Sequence, residues 1–380
     1  MKLVYIANTG IPSDWAHSVQ IMKMCEAFAE NGAEVELVVA GGRNGNDKSN
    51  PFSFYNVKPI FKIVRVPSLN FSSGSPAAVW YWIRLISFLI SARIYLLTQN
   101  YDVVYTRELY ATPFFRNVFL ERHSFPKVVT KFHKFIFRKV AGLVVLTSFI
   151  KSKLVEIGIS SEKILTASDA VRLEDFSNSL SKEESRKRFN LPVNSHIICY
   201  AGTLKTMAKE KGVTTAIDAM ELLNKNYILY VVGGDPEDVE FYKSYANTKK
   251  LNDRIIFVGK IPHKEIPEHL AVADVLIAPF PDIEHYKFYM SPLKIFEYMA
   301  SKRPIVASDL PSIREILHEG YNARLFPPGN IERLAQAIEE MGSREHPGNK
   351  FAEQAFNDVR EKYTWKKRAR NIIEFIRPRI

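Results

Sequence analysis

Two doubly wound α/β domains, each a parallel sheet with helices on both faces, are predicted by three features of this sequence. Short apolar runs alternate with stretches of helical periodicity along the whole chain. The pattern restarts at His196–Ala201, mirroring the opening strand. A length of 380 residues is too great for one comfortable core and suits two domains of ordinary size.

Taken in order, Lys2–Asn8 is a strand, Thr9–His17 a polar loop, and Ser18–Glu30 a helix with Ile21, Met24, Cys25 and Phe28 on one face. Asn31–Gly32 caps that helix and Glu34–Ala40 is the next strand, which completes a βαβ unit with a right-handed crossover. Gly41–Ser53 reads as loop and Lys58–Pro67 as strand. Pro76–Leu97 is the most apolar helix; Arg84 and Arg93 interrupt it below the roughly 20 apolar residues of a membrane span, so a buried or interfacial helix is expected. Asp102–Thr106 and Gly142–Thr147 are short strands. Between them Lys127–Lys139 alternates basic and aromatic residues. The charged stretch Ser181–Asn190 puts a boundary near residues 170–190, giving domains at 1–178 and 179–360.

The second half alternates strands at His196–Ala201, Ile228–Val232, Ile255–Val258, Val275–Ala278 and Ile305–Ala307 with helices at Thr214–Leu223, Val239–Lys249, Ile266–Ala271, Leu293–Ala300, Ile313–Leu317 and Ile331–Met341. A last helix, Trp365–Arg377, is expected to pack back on the first domain. Open sheets of this kind bind ligands outside the carboxyl ends of their strands, which predicts a cleft faced by both domains.

Composition narrows the function. Two cysteines far apart give no disulfide framework and no metal pair, so a reducing compartment is the default. The opening MKLVYIANTG reads as a strand, not a signal peptide. A net charge of +11 fits an acidic substrate or an anionic surface, the alternative being solubility and non-specific attraction to anions. Nucleic acid is set aside, because no zinc spacing, RNP-like aromatic motif or basic-region heptad is present. A dehydrogenase is disfavoured too, since only Gly10 follows the first strand where GxGxxG would stand.

The most specific segment is SPLKIFEYMASKRPIVASD, Ser291–Asp309. A short loop enters a helix at about Pro292, whose missing N–H suits a first turn, so the amides of Leu293 and Lys294 point outward as an anion site. Glu297, one turn further in, can accept bonds from vicinal hydroxyls such as those of a ribose; the alternative is a solvated helix carboxylate. In YAGTLKTMAKEKG, Tyr200–Gly212, Gly202 lets the backbone approach a ligand and Lys205, Lys209 and Lys211 crowd the sheet edge, where they would neutralise a diphosphate leaving group or simply be solvated. Gly233–Asp235 is a weaker signal, compatible with a plain turn. In the first half, His17 and Ser18 sit after the opening strand, either at a ligand or with Ser18 capping the helix. Arg107 and Glu108 follow Val103–Thr106, as an acceptor contact or a surface ion pair.

These pieces resemble the family-4 retaining glycosyltransferases of the two-domain GT-B architecture. The matching series is YAG…KG, VVGGDP at Val231–Pro236, FVGKIP at Phe257–Pro262, ADVLIAPF at Ala273–Phe280, SPLKIFEYMA…RPIVASD and NARLFPPGN at Asn322–Asn330. IANTG with the following helix, VVYTREL at Val103–Leu109, LERH at Leu120–His123 and DAVRLEDF at Asp169–Phe176 extend it into the first half. Single pieces are weak; their order and spacing are specific.

The resemblance implies two Rossmann-like domains, the second binding a nucleotide-sugar donor, the first an acceptor. It implies transfer with retention at the anomeric carbon and no metal. Donor contacts then fall on Gly202, Thr203, Lys205, Lys211, Ser291, Leu293, Lys294 and Glu297, with Lys211 at the diphosphate and Glu297 at the ribose. His123 matches the histidine near the transferred sugar, and the acceptor falls to His17, Ser18, Arg107 and Glu108. Two positions depart from the family: Tyr289 stands where a second glutamate is common, and Thr203 where a basic residue is expected after Gly202.

The expected function is transfer from a UDP-linked donor to a saccharide or lipid-linked saccharide in cell-surface glycan assembly, with no cofactor. The place is cytoplasmic, at the inner face of a membrane if Trp80–Ile90 and Lys127–Lys139 rest on anionic lipid, the alternative being a buried helix and a solvated run. A nucleotide-sugar epimerase of the same fold and a non-catalytic sugar or nucleotide binder are the competing readings.

Overall fold

Strand β1 (Lys2–Ala7) is buried on both faces, as its unbroken apolar run requires, and is an interior strand of a seven-stranded parallel sheet. In this computed structural model residues 1–13, 15–41, 50–69, 77–177, 180–206, 208–342 and 348–380 are described. Most of the Gly41–Ser53 loop, and Pro76 at the head of the expected apolar helix, lie outside them. The chain divides into two units, Met1–Ser168 with Trp365–Ile380, and Asp169–Thr364.

In the first unit β1 is followed by α1 (Ala16–Glu30), β2 (Glu34–Gly41), the short α2 (Pro51–Phe54), β3 (Lys62–Pro67), α3 (Ala77–Leu97), β4 (Val103–Thr106), β5 (Val118–Arg122), α4 (Lys131–Lys139), β6 (Gly142–Val145), α5 (Ser148–Glu156) and β7 (Ile164–Thr166). The strands run parallel in the order β3-β2-β1-β4-β5-β6-β7. Order reverses between β1 and β4, so the residues after these two strands flank the crevice of a doubly wound sheet. Helix α1 starts two residues earlier than its periodicity suggests, because Trp15 is its cap and the Ser18 amide already donates to the Trp15 carbonyl at 2.9 Å.

The second unit holds α6 (Lys182–Arg188), β8 (His196–Ala201), β9 (Lys205–Thr206), β10 (Lys209–Glu210), α7 (Val213–Leu222), β11 (Tyr227–Val232), α8 (Pro236–Thr248), β12 (Ile255–Gly259), α9 (Ile266–Ala271), β13 (Val275–Ala278), α10 (Leu293–Ala300), β14 (Ile305–Ser308), α11 (Pro311–Arg314), β15 (Arg324–Phe326), α12 (Ile331–Gly342) and α13 (Gly348–Lys362). Six parallel strands run β12-β11-β8-β13-β14-β15, and β9 and β10 form a separate antiparallel hairpin. The switch point falls between β8 and β13. The charged stretch at its start is a helix with a capping box of Ser181 and Glu184. Arg186 of that helix is buried and reaches Asp274 at 2.5 Å, while Asp274 also accepts the Ile197 amide at 2.7 Å, which ties the helix to β8.

The boundary lies at Ser168/Asp169, ten residues before the expected 178/179. The Val171 amide donates to the Tyr363 carbonyl at 3.0 Å and Leu173 and Phe176 pack on the second core, so the outgoing and returning chains are held together there. Helix α14 (Trp365–Ile376) then belongs to the first unit and packs on α1. Its Arg368 is buried and donates to Glu121 at 3.1 Å, to the Ser168 carbonyl at 2.8 Å and to the Met24 sulfur at 3.1 Å. Replacing Arg368 with Met strands the Glu121 carboxylate in the interior. A loss of about 3 kcal/mol or more is expected, read by urea unfolding; a change under about 1 kcal/mol would show that the pair is not load-sharing.

Candidate functional site

At the second switch point four elements converge. Strand β8 ends at Ala201, whose amide donates to the Tyr298 hydroxyl at 2.8 Å, fixing α10 beneath the strand end. Gly202 follows with φ 128°, and a Cβ there would lie 3.1 Å from the Lys294 Nζ. A Cβ on Gly233, after β11, would lie 2.3 Å from the Gly202 carbonyl oxygen. These two turns therefore pack backbone to backbone, and Gly233 serves the packing beside Gly202.

Pro292 is the cap of α10, one position earlier than a first-turn proline, and Leu293 and Lys294 begin the helix. Their amides have no acceptor one turn back. The Lys294 side chain is buried, with its ammonium 3.6 Å from the centre of the Tyr200 ring and no hydrogen-bond partner among the described residues. Burial first, and the Lys211 cation second, hold its amine well below the ordinary lysine pKa. Lys211 donates to the Thr203 hydroxyl at 2.6 Å, and burial lowers its pKa to about 8. Glu297 is only 13% exposed and hydrogen-bonds to His263 Nε2 at 2.7 Å, so it is not a solvated carboxylate. Leu293, Lys294, Glu297, Gly202, Thr203 and Lys211 are thus brought to one edge.

Two expected donor residues are turned elsewhere. The β9–β10 hairpin aims Lys205 at α8, where its ammonium pairs with Asp238 at 2.8 Å and lies 4.8 Å from the Phe241 ring centre. The buried Ser291 hydroxyl accepts the Asp169 amide at 2.7 Å, a strut for the entering chain. Tyr289 closes a π-helical turn, His285–Tyr289. Among the described residues no group of three His, Cys, Asp or Glu is placed to hold a metal.

At the first switch point the polar groups form one network. Arg107 donates to Gln20 Oε1 at 2.6 Å and to His123 Nδ1 at 2.8 Å, and His123 Nε2 bonds Glu121 Oε1 at 2.5 Å. Glu121 also accepts from the Tyr105 hydroxyl and from Arg368. Burial pushes the Glu121 carboxyl up, but Arg368, His123 and Arg107 outweigh it and hold it ionised. Burial and Arg107 push His123 down to about 3, so it is a neutral imidazole with both ring nitrogens engaged. Arg107 and Glu108 are not a surface pair: Glu108 accepts the Asn8 amide at 3.3 Å and its carboxyl is raised by burial. Ser18 is not a cap; it is buried and bonds the Ser13 hydroxyl at 2.7 Å and that of Thr9 at 3.3 Å, while His17 Nε2 bonds Thr9 at 3.0 Å.

The sequence reading missed His263, Gln20, Glu121 and Arg368. His263 follows directly on FVGKIP and was within reach; Arg368 lies 247 positions from Glu121 and leaves no local signal.

Two parallel-sheet α/β domains of this kind are the GT-B fold. The sucrose-phosphate synthase of Thermosynechococcus elongatus superposes with a TM-score of 0.79 over 99% of this chain and 98% of that one, at 18% identity. Anabaena HepE, solved in complex with UDP, superposes with a TM-score of 0.75 over 100% of both, at 14% identity. Residues 195–343 match the family described as glycosyl transferases group 1. An uncharacterized glycosyltransferase of Methanocaldococcus jannaschii is 25% identical over 237 residues, 62% of this chain and 57% of that protein. The chain spans about half the length of the curated relatives it matches. Fold and family model together support a glycosyltransferase of the group 1 type, with the family match lying in the second unit.

Because the Lys294 amine lies below 10.5 in the folded state, the unfolded chain binds the extra proton between that depressed pKa and 10.5, and stability rises with pH through the window. Lys294→Met removes the buried amine. It is expected to raise the unfolding free energy at pH 7 by about 1–3 kcal/mol, with the gain shrinking toward pH 10. Lower stability at pH 7 would mean that the ammonium has a compensating partner.

Proposed function

We propose that the chain transfers a sugar, with retention, from a UDP-linked donor to a saccharide or lipid-linked saccharide acceptor in cell-surface glycan assembly. One observation carries the donor half of this reading: two depressed lysines and two outward amides meet at the edge where Gly202 leaves room. Lys211, Lys294 and the amides of Leu293 and Lys294 hold the diphosphate, and Glu297, steadied by His263, accepts the ribose hydroxyls. UDP bound to the Anabaena protein of the same fold supports a uridine nucleotide. As the anomeric C–O bond to the diphosphate breaks, the acceptor oxygen bonds to the same face and its proton passes to the departing diphosphate oxygen. The charge that develops there falls on the lysines, with no metal required.

In the first unit the acceptor is assigned to His17, Arg107 and Glu108, with the buried Ser18 holding the Thr9–Ser13 loop behind them. His123 is a positioning residue as well as a surface: locked between Arg107 and Glu121, it presents a neutral ring edge to the sugar. We place the chain in the cytoplasm, a reading supported by the free, buried Cys25 and Cys199.

The proton balance gives a direct test. Free Lys211 loses its charge above about pH 8, so a diphosphate must recharge it. UDP, fully ionised in that range, is expected to bind up to about tenfold more weakly per pH unit above 8 in calorimetric titration. Lys211→Met should remove the extra slope that sets in above about pH 8, leaving that due to recharging Lys294, and Lys211→Met, Lys294→Met and Glu297→Ala should each weaken binding by about tenfold or more at pH 7.5. Transfer to a sugar acceptor is then scored by product analysis. A new epimer from donor alone would replace this reading with an epimerase; UDP bound without turnover in any acceptor screen would leave a binding protein.

A further inference from the structure

Helix α3 is apolar on two sides. Leu85, Phe88, Leu89, Ala92 and Leu96 are buried in the first unit, where the helix packs beside β3. The Val79–Leu97 stretch is long and apolar enough to cross a membrane, but this inward stripe lays the helix along its own domain. On the outward side Val79, Trp82, Ile86, Ile90, Ile94 and Leu97 recur at three- and four-residue spacing, each at least 40% exposed. Solvent is a poor neighbour for six large apolar side chains in one row.

The stripe does not end with the helix. Trp82 packs edge-on against Tyr110, ring centres 4.6 Å apart, and Tyr110 stacks on Phe132 of α4 at 5.7 Å. Helix α4 then adds the exposed Phe132 and Phe135. Beside them Lys131, Lys134, Arg138 and Lys139 are exposed as well, and Thr130 caps the helix with His133 in a capping box, so the face is held in helical register.

Residues 51–140 carry 13 lysines and arginines against 3 acidic residues, Asp102, Glu108 and Glu121. Glu121 is buried in the network below β5, Glu108 is held by the Asn8 amide, and Asp102 binds the Lys2 amide at the opposite, amino end of the sheet. Among those cations Lys58 and Lys62 are paired with Glu30 and Glu36 and Arg107 lies in the inner network, so the rim of the aromatic and aliphatic face is the exposed Lys131, Lys134, Arg138 and Lys139 of α4. Two copies meeting through it would set like charges together. A negatively charged lipid surface meets both demands, taking the apolar row into its headgroup layer and pairing phosphates with the rim.

We propose that the outward stripe of α3, joined through Tyr110 to the basic and aromatic face of α4, seats the first unit on an anionic bilayer. The docking surface shares no residue with the donor cluster of the second unit, so it stands or falls independently of the donor reading.

Sedimentation of the full chain with phosphatidylcholine vesicles, alone or with about one third phosphatidylglycerol, tests it. Strong binding to the anionic vesicles, a blue shift of tryptophan emission and release by salt are expected. The double variant Ile86→Glu, Ile90→Glu should abolish binding, and Lys134→Gln or Lys139→Gln should each weaken it about fivefold, while UDP affinity stays as in the parent and reports an intact fold. Equal binding to neutral and anionic vesicles would overturn the proposal. So would no vesicle binding together with a dimer, in analytical ultracentrifugation, that the double variant dissolves; the occupant would then be a second copy.

Discussion

A buried lysine with no hydrogen-bond partner among the described residues lies beneath the carboxyl edge of the second sheet, and the local architecture is built to keep it there. Lys294 enters with the first turn of α10, passes under Gly202 and ends over the ring of Tyr200. Any side chain at Gly202 would press on it, and Gly233 must be bare because it rests on the Gly202 carbonyl. Tyr298, from the same helix, pins the Ala201 amide. Burying such a group costs stability, and stability is commonly given up where a ligand restores the balance. An anion at the helix start does so twice, by recharging the amine and by accepting the free amides.

The first unit solves a different problem with similar parts. Its buried carboxylate, Glu121, is fully satisfied by Arg368, His123 and Tyr105, and the result is a stiff floor instead of a vacancy for charge. Arg107 links this floor to Gln20 at the start of α1. Through Arg368 the last helix holds the network in place, so the polar groups near the first switch point depend on a segment more than 200 residues away in sequence. An acceptor pocket benefits from such fixity, since hydroxyl recognition depends on donors and acceptors that do not rearrange.

How far the sequence revealed this follows from what kinds of forces are local. Strands β8 and β13 and helices α9 and α10 were bounded to the residue, because an apolar run buried on both faces, or one helical stripe, is visible without its neighbours. Strand β5 was missed as a strand, since Glu121 and Arg122 at its end look solvated until Arg368 arrives. The polar helix α13 and the three-residue β15 carry too little periodicity to be read. Of the residues proposed for the donor, Leu293, Lys294 and Glu297 were read from a loop-to-helix pattern and Lys211 from a lysine-rich loop and the resemblance, yet Lys205 was assigned to the same group because a loop lysine has no direction in sequence; a two-stranded hairpin gave it one. Helix α3 was weighed as core or as membrane surface, and it is apolar toward both sides.

Everything said about the donor turns on where a pyrophosphate lands. A crystal structure of the chain with UDP measures that directly. The account requires phosphate oxygens within about 3 Å of the Lys294 and Lys211 ammonium groups and of the Leu293 and Lys294 amides, with Glu297 on the ribose. UDP bound at another edge, or Lys294 still lying on the Tyr200 ring with no phosphate in reach, would contradict it.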